Sequence, residues 1–98
     1  MIKIVNLRKE KYDIYIGRGS KWGNPFSHLN DTLAIYKVKS RNKSIECYKD
    51  WILFGDGKYL LDDLDELDNK VLGCFCKPKK CHGDILIELI NNKKKNII

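Results

Sequence analysis

The sequence predicts a small single-domain α/β protein in which helices pack on a short, mostly parallel sheet. The hydrophobic segments follow the order β-β-(β)-α-α-β-α, which is typical of helices packed on a sheet. The 98 residues suffice for one modest core and no second domain, so residues 1–98 are expected to form a single unit. Hydrophobic residues at 43% and charged residues at 33% fit a globular chain better than a disordered one.

The first half of the chain is predicted to hold two or three strands and a helix. Apolar and β-branched residues predict strands over residues 2–7 and 12–16, and a further strand or hairpin arm over 33–38. Ser40 is a suitable N-cap for a helix that ends near Phe54, because apolar residues then recur at spacings of three and four.

The second half is predicted to hold two helices separated by a strand. Regularly spaced leucines within residues 60–67 predict an acidic amphipathic helix, and residues 70–75 have the composition of a buried strand. Residues 82–92 are expected to form the last helix. Residues 93–98 form a basic tail, whose lysines suit the negative end of the helix dipole.

The distribution of charge favours an anionic partner. The net charge is +6, and six of the 13 acidic residues fall between Asp56 and Asp68, so the rest of the chain is strongly basic. Such a surface favours phosphates, nucleotides or nucleic acid. A biased base composition can also supply many lysines, so charges that stand beside glycines are more informative than the total.

Nothing in the sequence indicates a membrane or secreted protein. The chain lacks an apolar run of membrane-spanning length, and its N-terminus lacks the features of a signal peptide. We therefore expect a cytoplasmic protein with no membrane partner, in the host cytoplasm if it is viral. The four cysteines are expected to be thiols or metal ligands rather than disulfides.

A glycine-rich loop at residues 17–26, with the sequence GRGSKWGNPF, is the first candidate site. Gly17 and Gly19 allow backbone amides to approach a ligand closely, and Arg18 and Lys21 stand beside them. Exposed amides and a guanidinium group are suited to a phosphate or a carboxylate. The loop matches neither a Walker motif nor a dinucleotide fingerprint.

The same loop holds residues that can recognise a base or a sugar. Trp22 offers a flat face on which a base can stack, and Asn24 can contact a polar base edge or a sugar hydroxyl. The alternative is a tight surface turn in which Trp22 and Phe26 fill the core.

A cysteine-histidine turn, VLGCFCKPKKCHGDI at residues 71–85, is the second candidate site. As a catalytic site, it would use Cys81 as a nucleophile at a helix N-terminus, with His82 or Asp84 handling the proton. As a binding site, it would present free helix amides and the lysines of residues 77–80 to an anion. In that case Cys74, Cys76, His82, Gly83 and Asp84 line the ligand. The alternative treats the first two cysteines as core residues and Asp84 as an ordinary acid of the first helical turn.

A zinc site in the same turn is disfavoured. Cys74, Cys76, Cys81 and His82 have suitable ligand chemistry, but the spacing C-x-C-x4-C-H is unusual and adjacent side chains diverge. No cofactor is therefore expected. Cys47, on a helix face, is interpreted as purely structural.

The two candidate segments can form one pocket. Each follows a predicted strand, and ligands bind outside the carboxyl ends of parallel strands. If the two strands are neighbours and parallel, a Rossmann-like strand-turn-helix ligand site results.

The motifs near both ends resemble the small phage and bacterial proteins of the domain of unknown function 4326 family. The resemblance covers residues 3–90 and treats 27–39 as a variable insertion. It implies functional positions in both motifs: Asn6, Arg8, Gly17, Arg18, Gly19, Trp22, Gly23, Asn24, Pro25, Cys74, Cys76, Cys81, His82, Gly83 and Asp84. It also implies a phage accessory role, for which sequestering a nucleotide signal of bacterial immunity is an analogy at the level of class.

Three functions remain open. The first is binding of a nucleotide or ADP-ribose-like molecule, in a homo-oligomer that completes a shallow pocket. The second is a hydrolase for the same ligands that uses Cys81, His82 and Asp84. The third is nucleic-acid binding, although no known nucleic-acid motif is present. A binding protein is favoured over an enzyme.

Overall fold

The fold is known from a computed structural model, which describes residues 2–28 and 36–95. Along the chain the elements are β1 (Lys3–Asn6), β2 (Ile14–Tyr15), β3 (Phe26–Ser27), β4 (Tyr36–Lys37), α1 (Arg41–Phe54), a 3-10 helix (Lys58–Leu67), β5 (Val71–Cys74) and α2 (Gly83–Lys94). The predicted class, an α/β domain with short parallel sheets, is confirmed.

The main sheet has three strands in the order β1-β5-β2, and both pairings are parallel. Lys3 pairs with Val71 and Ile14 pairs with Leu72, so the late strand β5 lies between the two early ones. The predicted strands 2–7, 12–16 and 70–75 are therefore present in shorter form. The two strands that precede the candidate loops are parallel neighbours, as the pocket hypothesis required.

One face of the main sheet forms the core. Leu72 and Cys74 of β5 point towards it, and α1, α2 and the 3-10 helix supply the facing side chains. The fully buried members from these helices are Tyr48, Ile52, Leu60, Leu64, Leu67, Leu86 and Leu89. Burial of these apolar side chains is the main contribution to folding.

The other sheet face carries aromatic side chains instead of a helix. The ring of Tyr12 packs over Gly73 of β5, and Tyr15 meets Phe75 edge-on with 6.1 Å between ring centroids. Tyr12 is 44% exposed and Phe75 is 51% exposed. We call Tyr12, Tyr15 and Phe75 the open face of the sheet.

The α1 helix begins and ends as its sequence predicts. The Ser40 hydroxyl accepts a hydrogen bond from the Lys43 amide at 3.1 Å, which satisfies one of the free donors of the first turn. At the other end the Gly55 amide bonds to the Trp51 carbonyl at 2.9 Å, and the helix stops.

The acidic segment departs from the prediction because it forms a 3-10 helix and not an α-helix. Aspartate has low α-helix propensity, and the segment holds three of them. Its carboxylates also meet lysines from elsewhere: Lys94 lies 2.8 Å from Asp68, and Lys93 lies 3.7 Å from Asp65. These two lysines, expected in a basic tail, belong to the last turn of α2.

Three sequence predictions fall partly outside the described residues. The strand over 33–38 is seen only as β4, which pairs in parallel with β3. Residues 29–35 of the expected insertion and residues 96–98 of the tail are not described.

Candidate functional site

A cleft of about 520 Å³ lies at the carboxyl edge of the main sheet. The chain reaches this edge three times, after Asn6 of β1, after Cys74 of β5 and at Gly17 just beyond β2. Loops that follow parallel strands meet at one edge, which is where α/β proteins bind ligands. The volume falls within the range of small-molecule sites, roughly 300–1,000 Å³.

The cleft brings together residues from both predicted segments. Those that line it are Asn6, Gly17, Arg18, Asn24, Cys74, Cys76, Cys81 and His82. The structure adds residues that the sequence did not single out: Lys9, Ser27, His28, Arg41, Ser44, Ile45, Phe75 and Pro78. It also places the lysines of the cysteine-histidine turn in the lining, at positions 77, 79 and 80.

The charged side chains of the cleft are all cationic. The lining contains six lysines and arginines at positions 9, 18, 41, 77, 79 and 80, and no aspartate or glutamate among the residues that the structure describes. Lys77 is neutralised by Asp84, whose carboxylate lies 2.8 Å from its ammonium group just behind the turn. The other five have no carboxylate partner within residues 2–28 and 36–95, so the cleft is electropositive.

Arg18 is held with part of its guanidinium group unpartnered. Its Nη2 donates to the Phe26 carbonyl at 2.7 Å, while its Nε is buried without a hydrogen bond. Burial lowers the pKa of this guanidinium, with a further contribution from Arg41, although arginine stays charged at neutral pH. Arg18 and Arg41 thus bring two positive charges to the same cleft.

Two asparagines hold the loops in place through side-chain hydrogen bonds. The Asn6 amide donates to the Lys77 carbonyl at 2.7 Å and its oxygen accepts from the Arg8 amide at 2.9 Å. The Asn24 amide donates to the Ser44 hydroxyl at 2.8 Å and its oxygen accepts from the Phe26 amide at 2.9 Å. Because these groups are used inside the protein, Asn24 shapes the cleft and is not free to contact a base edge.

Six predicted binding residues lie outside the cleft, and four of them belong to the first half of the chain. Trp22 is only 3% exposed and packs in the core, so the alternative of a core aromatic is correct. Lys21 projects to the 3-10 helix, 2.8 Å from Asp63 and 2.7 Å from Glu66. Arg8 stacks on the Phe75 ring at 5.0 Å, on the open face. Gly19 allows the turn to form, because its backbone has a positive φ of 92°.

The start of α2 does not offer the free amides that the binding hypothesis required. The Asp84 carboxylate accepts the Cys81 amide at 3.2 Å, and the Gly83 amide donates to the Cys81 sulfur at 3.3 Å. A Cβ at Gly83 would collide with Ile4 and Ile16, so glycine is needed for close packing. Gly83 and Asp84 therefore stabilise the turn from behind and do not line the cleft.

A pair of buried thiols lies at the floor of the cleft. The Cys74 and Cys81 sulfurs are 3.5 Å apart, and both residues are at most 2% exposed. Cys76 is half-buried and lines the cleft. Hydrogen bonds from Cys74, Cys81 and Arg41 hold the pKa of the Cys76 thiol well below its usual range.

The environment of Cys81 does not favour the catalytic hypothesis, in which this thiol is the nucleophile. Its hydrogen bonds with Cys74 and Cys76, together with burial, raise the pKa of its thiol. The thiolate, and not the thiol, is the nucleophilic form. The catalytic role of Cys81 stays a prediction. The cysteine with a lowered pKa is Cys76, which the sequence analysis assigned to ligand contact and to the disfavoured zinc site.

His82 is buried against the core and is not paired with a nucleophile. Its Nε2 lies 2.7 Å from the Ile16 carbonyl oxygen, and its ring meets Tyr48 edge-on at 4.9 Å. Burial lowers the pKa of the imidazole, so the ring is neutral at neutral pH. Because a carbonyl only accepts, Nε2 carries the proton.

The described residues contain no group of three or more histidines, cysteines, aspartates or glutamates placed to hold a metal ion. The Nε2 of His82, one of the four ligands in the zinc hypothesis, is directed to a backbone carbonyl. Among residues 2–28 and 36–95 there is also no helix long and apolar enough to span a membrane.

Fold and cleft together define a small α/β protein whose parallel sheet carries a basic, thiol-lined cleft at its carboxyl edge. The family model described as Domain of unknown function (DUF4326) matches residues 3–92, and the chain belongs to this family. It is also similar to the "Uncharacterized 12.4 kDa protein in nrdA-td intergenic region" of Enterobacteria phage T4. The two are 35% identical over 98% of this chain and 83% of the phage protein. No solved structure matches the chain significantly.

Proposed function

We propose that the protein binds a small molecule that carries a phosphate group, of the nucleotide or ADP-ribose-like class, in the cleft at the carboxyl edge of the sheet. One observation carries the proposal: six cationic side chains line a cleft of small-molecule size in which no described lining residue is acidic. Like charges brought together at close range are costly in the empty protein, and a bound anion removes that cost.

Arg18 and Arg41 are the side chains best placed to hold the phosphate. Arg18 is fixed by its bond to the Phe26 carbonyl and has a buried donor without a partner. Arg41 reaches over from the first turn of α1, where its Nη1 lies 3.4 Å from the Lys80 carbonyl oxygen. Charge-assisted bonds from guanidinium groups to phosphate are short and strong.

The rest of the ligand would lie against a less polar part of the cleft. Phe75 and Ile45 contribute apolar surface there, and Ser27 and His28 contribute polar groups. An exposed aromatic ring can stack on a base. Phe75 thus takes the role that the sequence assigned to Trp22.

The cleft does not require a second subunit to reach ligand size, so a homo-oligomer is a separate proposal. A role as a phage accessory protein that sequesters a nucleotide signal would require tight binding without turnover. Native mass spectrometry of the purified protein reports the subunit count and any retained small molecule, and thereby tests both points.

The binding test uses isothermal titration with AMP, ADP-ribose and inorganic phosphate, on wild type and two variants that lose one positive charge each. Arg41→Ala removes a cleft residue. Lys43→Ala is the matched control, since Lys43 lies outside the cleft and is 3.9 Å from Glu46. Arg41→Ala should weaken binding about tenfold, the effect of one charged hydrogen bond. Equal weakening by both variants, or no binding of any of the three compounds, would reject the proposal.

A second candidate, single-stranded nucleic acid, is favoured by the open face. Its aromatic residues adjoin the cleft at Phe75, on which Arg8 stacks at 5.0 Å. Aromatic rings on a sheet surface stack with bases in several nucleic-acid binders. Phosphate-tracking binding weakens steeply as salt rises, whereas binding of one nucleotide in the cleft should weaken less. Titration of a labelled oligonucleotide at two salt concentrations, on wild type and Tyr12→Ala, distinguishes the candidates, because Tyr12 is exposed on the open face and does not line the cleft.

A further inference from the structure

We propose that Cys76 is a nucleophilic thiolate. Its sulfur attacks an electrophilic atom of the ligand, next to the anionic group that Arg18 and Arg41 hold. The inference takes the class of ligand from the proposed function. It takes the nucleophile from the cysteines that line the cleft.

The position of Cys76 separates it from the other cysteines of the cleft. Cys74 and Cys81 are buried with their sulfurs 3.5 Å apart, so their thiols contact each other beneath the cleft. Cys76, which lies between them in the sequence, is half-buried and lines the cleft together with Arg18 and Arg41. A partly exposed thiol in an electropositive cleft is stabilised as the thiolate, which is the reactive form.

The electrostatic setting supports the same assignment. The positive charge of Arg18 favours a negative charge on Cys76, and no described carboxylate lines the cleft to oppose it. The arginines that would hold an anionic group therefore stand beside the nucleophile. An electrophile bound through that group is brought within reach of sulfur, which is how orientation accelerates a reaction.

The chemical step is a displacement followed by hydrolysis. The lone pair of the Cys76 sulfur forms a bond to the electrophilic atom, and the bond to the leaving group breaks with its electron pair. The leaving group takes a proton from water or from a cleft lysine. Water then displaces the sulfur, loses its proton to solvent and restores the thiolate, so the net reaction adds one water across the broken bond.

The test measures the alkylation rate of each cysteine with iodoacetamide by peptide mass mapping. Cys47 is the internal control because it is also half-buried but lies on α1, outside the cleft. At about pH 6 Cys76 should react at least about tenfold faster than Cys47, with little change up to about pH 8. A Cys76 rate that rises about tenfold per pH unit, in parallel with that of Cys47, would overturn the inference.

Two variants identify the source of the reactivity. Arg41→Gln should slow Cys76 alkylation at acidic pH and restore its pH dependence, while Lys43→Gln should leave it unchanged. The folded state of each variant is checked by circular dichroism. Equal rates in wild type and Arg41→Gln would contradict the role of the guanidinium group.

A change of reagent separates this inference from the proposed function. The ratio of iodoacetate to iodoacetamide rates should be higher at Cys76 than at Cys47, and inorganic phosphate should reduce it. If Cys76 is alkylated fast but shows no preference for iodoacetate, anion binding in the cleft is rejected and the thiolate is retained. Phosphate binding to a protein with an unreactive Cys76 would overturn the nucleophile and leave the proposed function intact.

Discussion

The Nε2 atom of His82 lies 2.7 Å from the carbonyl oxygen of Ile16, and this hydrogen bond joins the two loops that form the cleft. Ile16 is the last residue before the glycine loop, and His82 immediately precedes α2. Because the imidazole is buried against Tyr48, the bond is shielded from water. The relative position of the two loops therefore depends on a neutral histidine.

His82 makes stability depend on pH. Burial lowers the pKa of His82 below its usual value of 6.5, so the unfolded chain takes up a proton before the folded protein does. Its stabilising contribution is complete above about pH 6.5 and decreases as the pH falls towards the folded-state pKa. Urea unfolding midpoints from about pH 7.5 to 5 should fall for wild type and stay flatter for His82→Gln, which keeps an N–H donor. Parallel curves for the two proteins would show that another group is responsible.

Arg18→Ala should weaken nucleotide binding at least about tenfold, since it removes one of the two guanidinium groups proposed to hold the phosphate. An arginine in a surface loop usually contributes little to stability. The bond from Nη2 to the Phe26 carbonyl changes this expectation to a stability loss of about 0.5–1.5 kcal/mol. Lys21→Ala removes the same charge outside the cleft and should leave affinity unchanged. Calorimetric titration and urea unfolding of both variants provide the comparison.

Trp22→Ala should destabilise the protein by about 3–5 kcal/mol, as expected for a buried aromatic residue. Trp22 belongs to the core cluster, and its carbonyl accepts the Tyr48 hydroxyl at 2.9 Å. Any loss of ligand binding should follow the loss of folded protein, measured by thermal unfolding beside titration. A variant that folds normally but no longer binds nucleotide would show that Trp22 contacts the ligand after all.

Asp84→Asn should lower stability by about 0.5–2 kcal/mol, in the range of other losses of a helix-capping group. The change weakens the acceptor for the Cys81 amide and removes the ion pair with Lys77. Iodoacetamide labelling of Cys76 should persist, because Asp84 lies behind the turn. Loss of Cys76 reactivity in a stable Asp84→Asn protein would place the carboxylate in the chemistry after all.

Local sequence features predicted the main sheet, the two α-helices and the sheet edge where the cleft lies. Ser40 identified the start of α1, and strand-like segments before each loop predicted that the loops would meet. The parallel pairing of β2 with β5 fulfils the condition on which the single pocket depended. These features depend on neighbouring residues, which a sequence displays directly.

Features that depend on distant partners could not be predicted in the same way. Lys21 was taken for a phosphate ligand because glycines surround it, yet its partner is Glu66, 45 residues further along the chain. Arg41 gave no signal, since a basic residue in a helical first turn is usual on a surface. The difference between the buried Cys81 and the half-buried Cys76 emerges only when the chain folds.

The order of the strands has a consequence for the protein during its synthesis. β1 and β2 leave the ribosome before β5, but neither can pair until β5 has been made, since Lys3 pairs with Val71 and Ile14 with Leu72. Until then a nascent chain keeps Ile2, Val5 and Ile16 without their partners, exposed to proteases and to other chains. The cleft can therefore form only after β5 has been synthesised and has paired between β1 and β2.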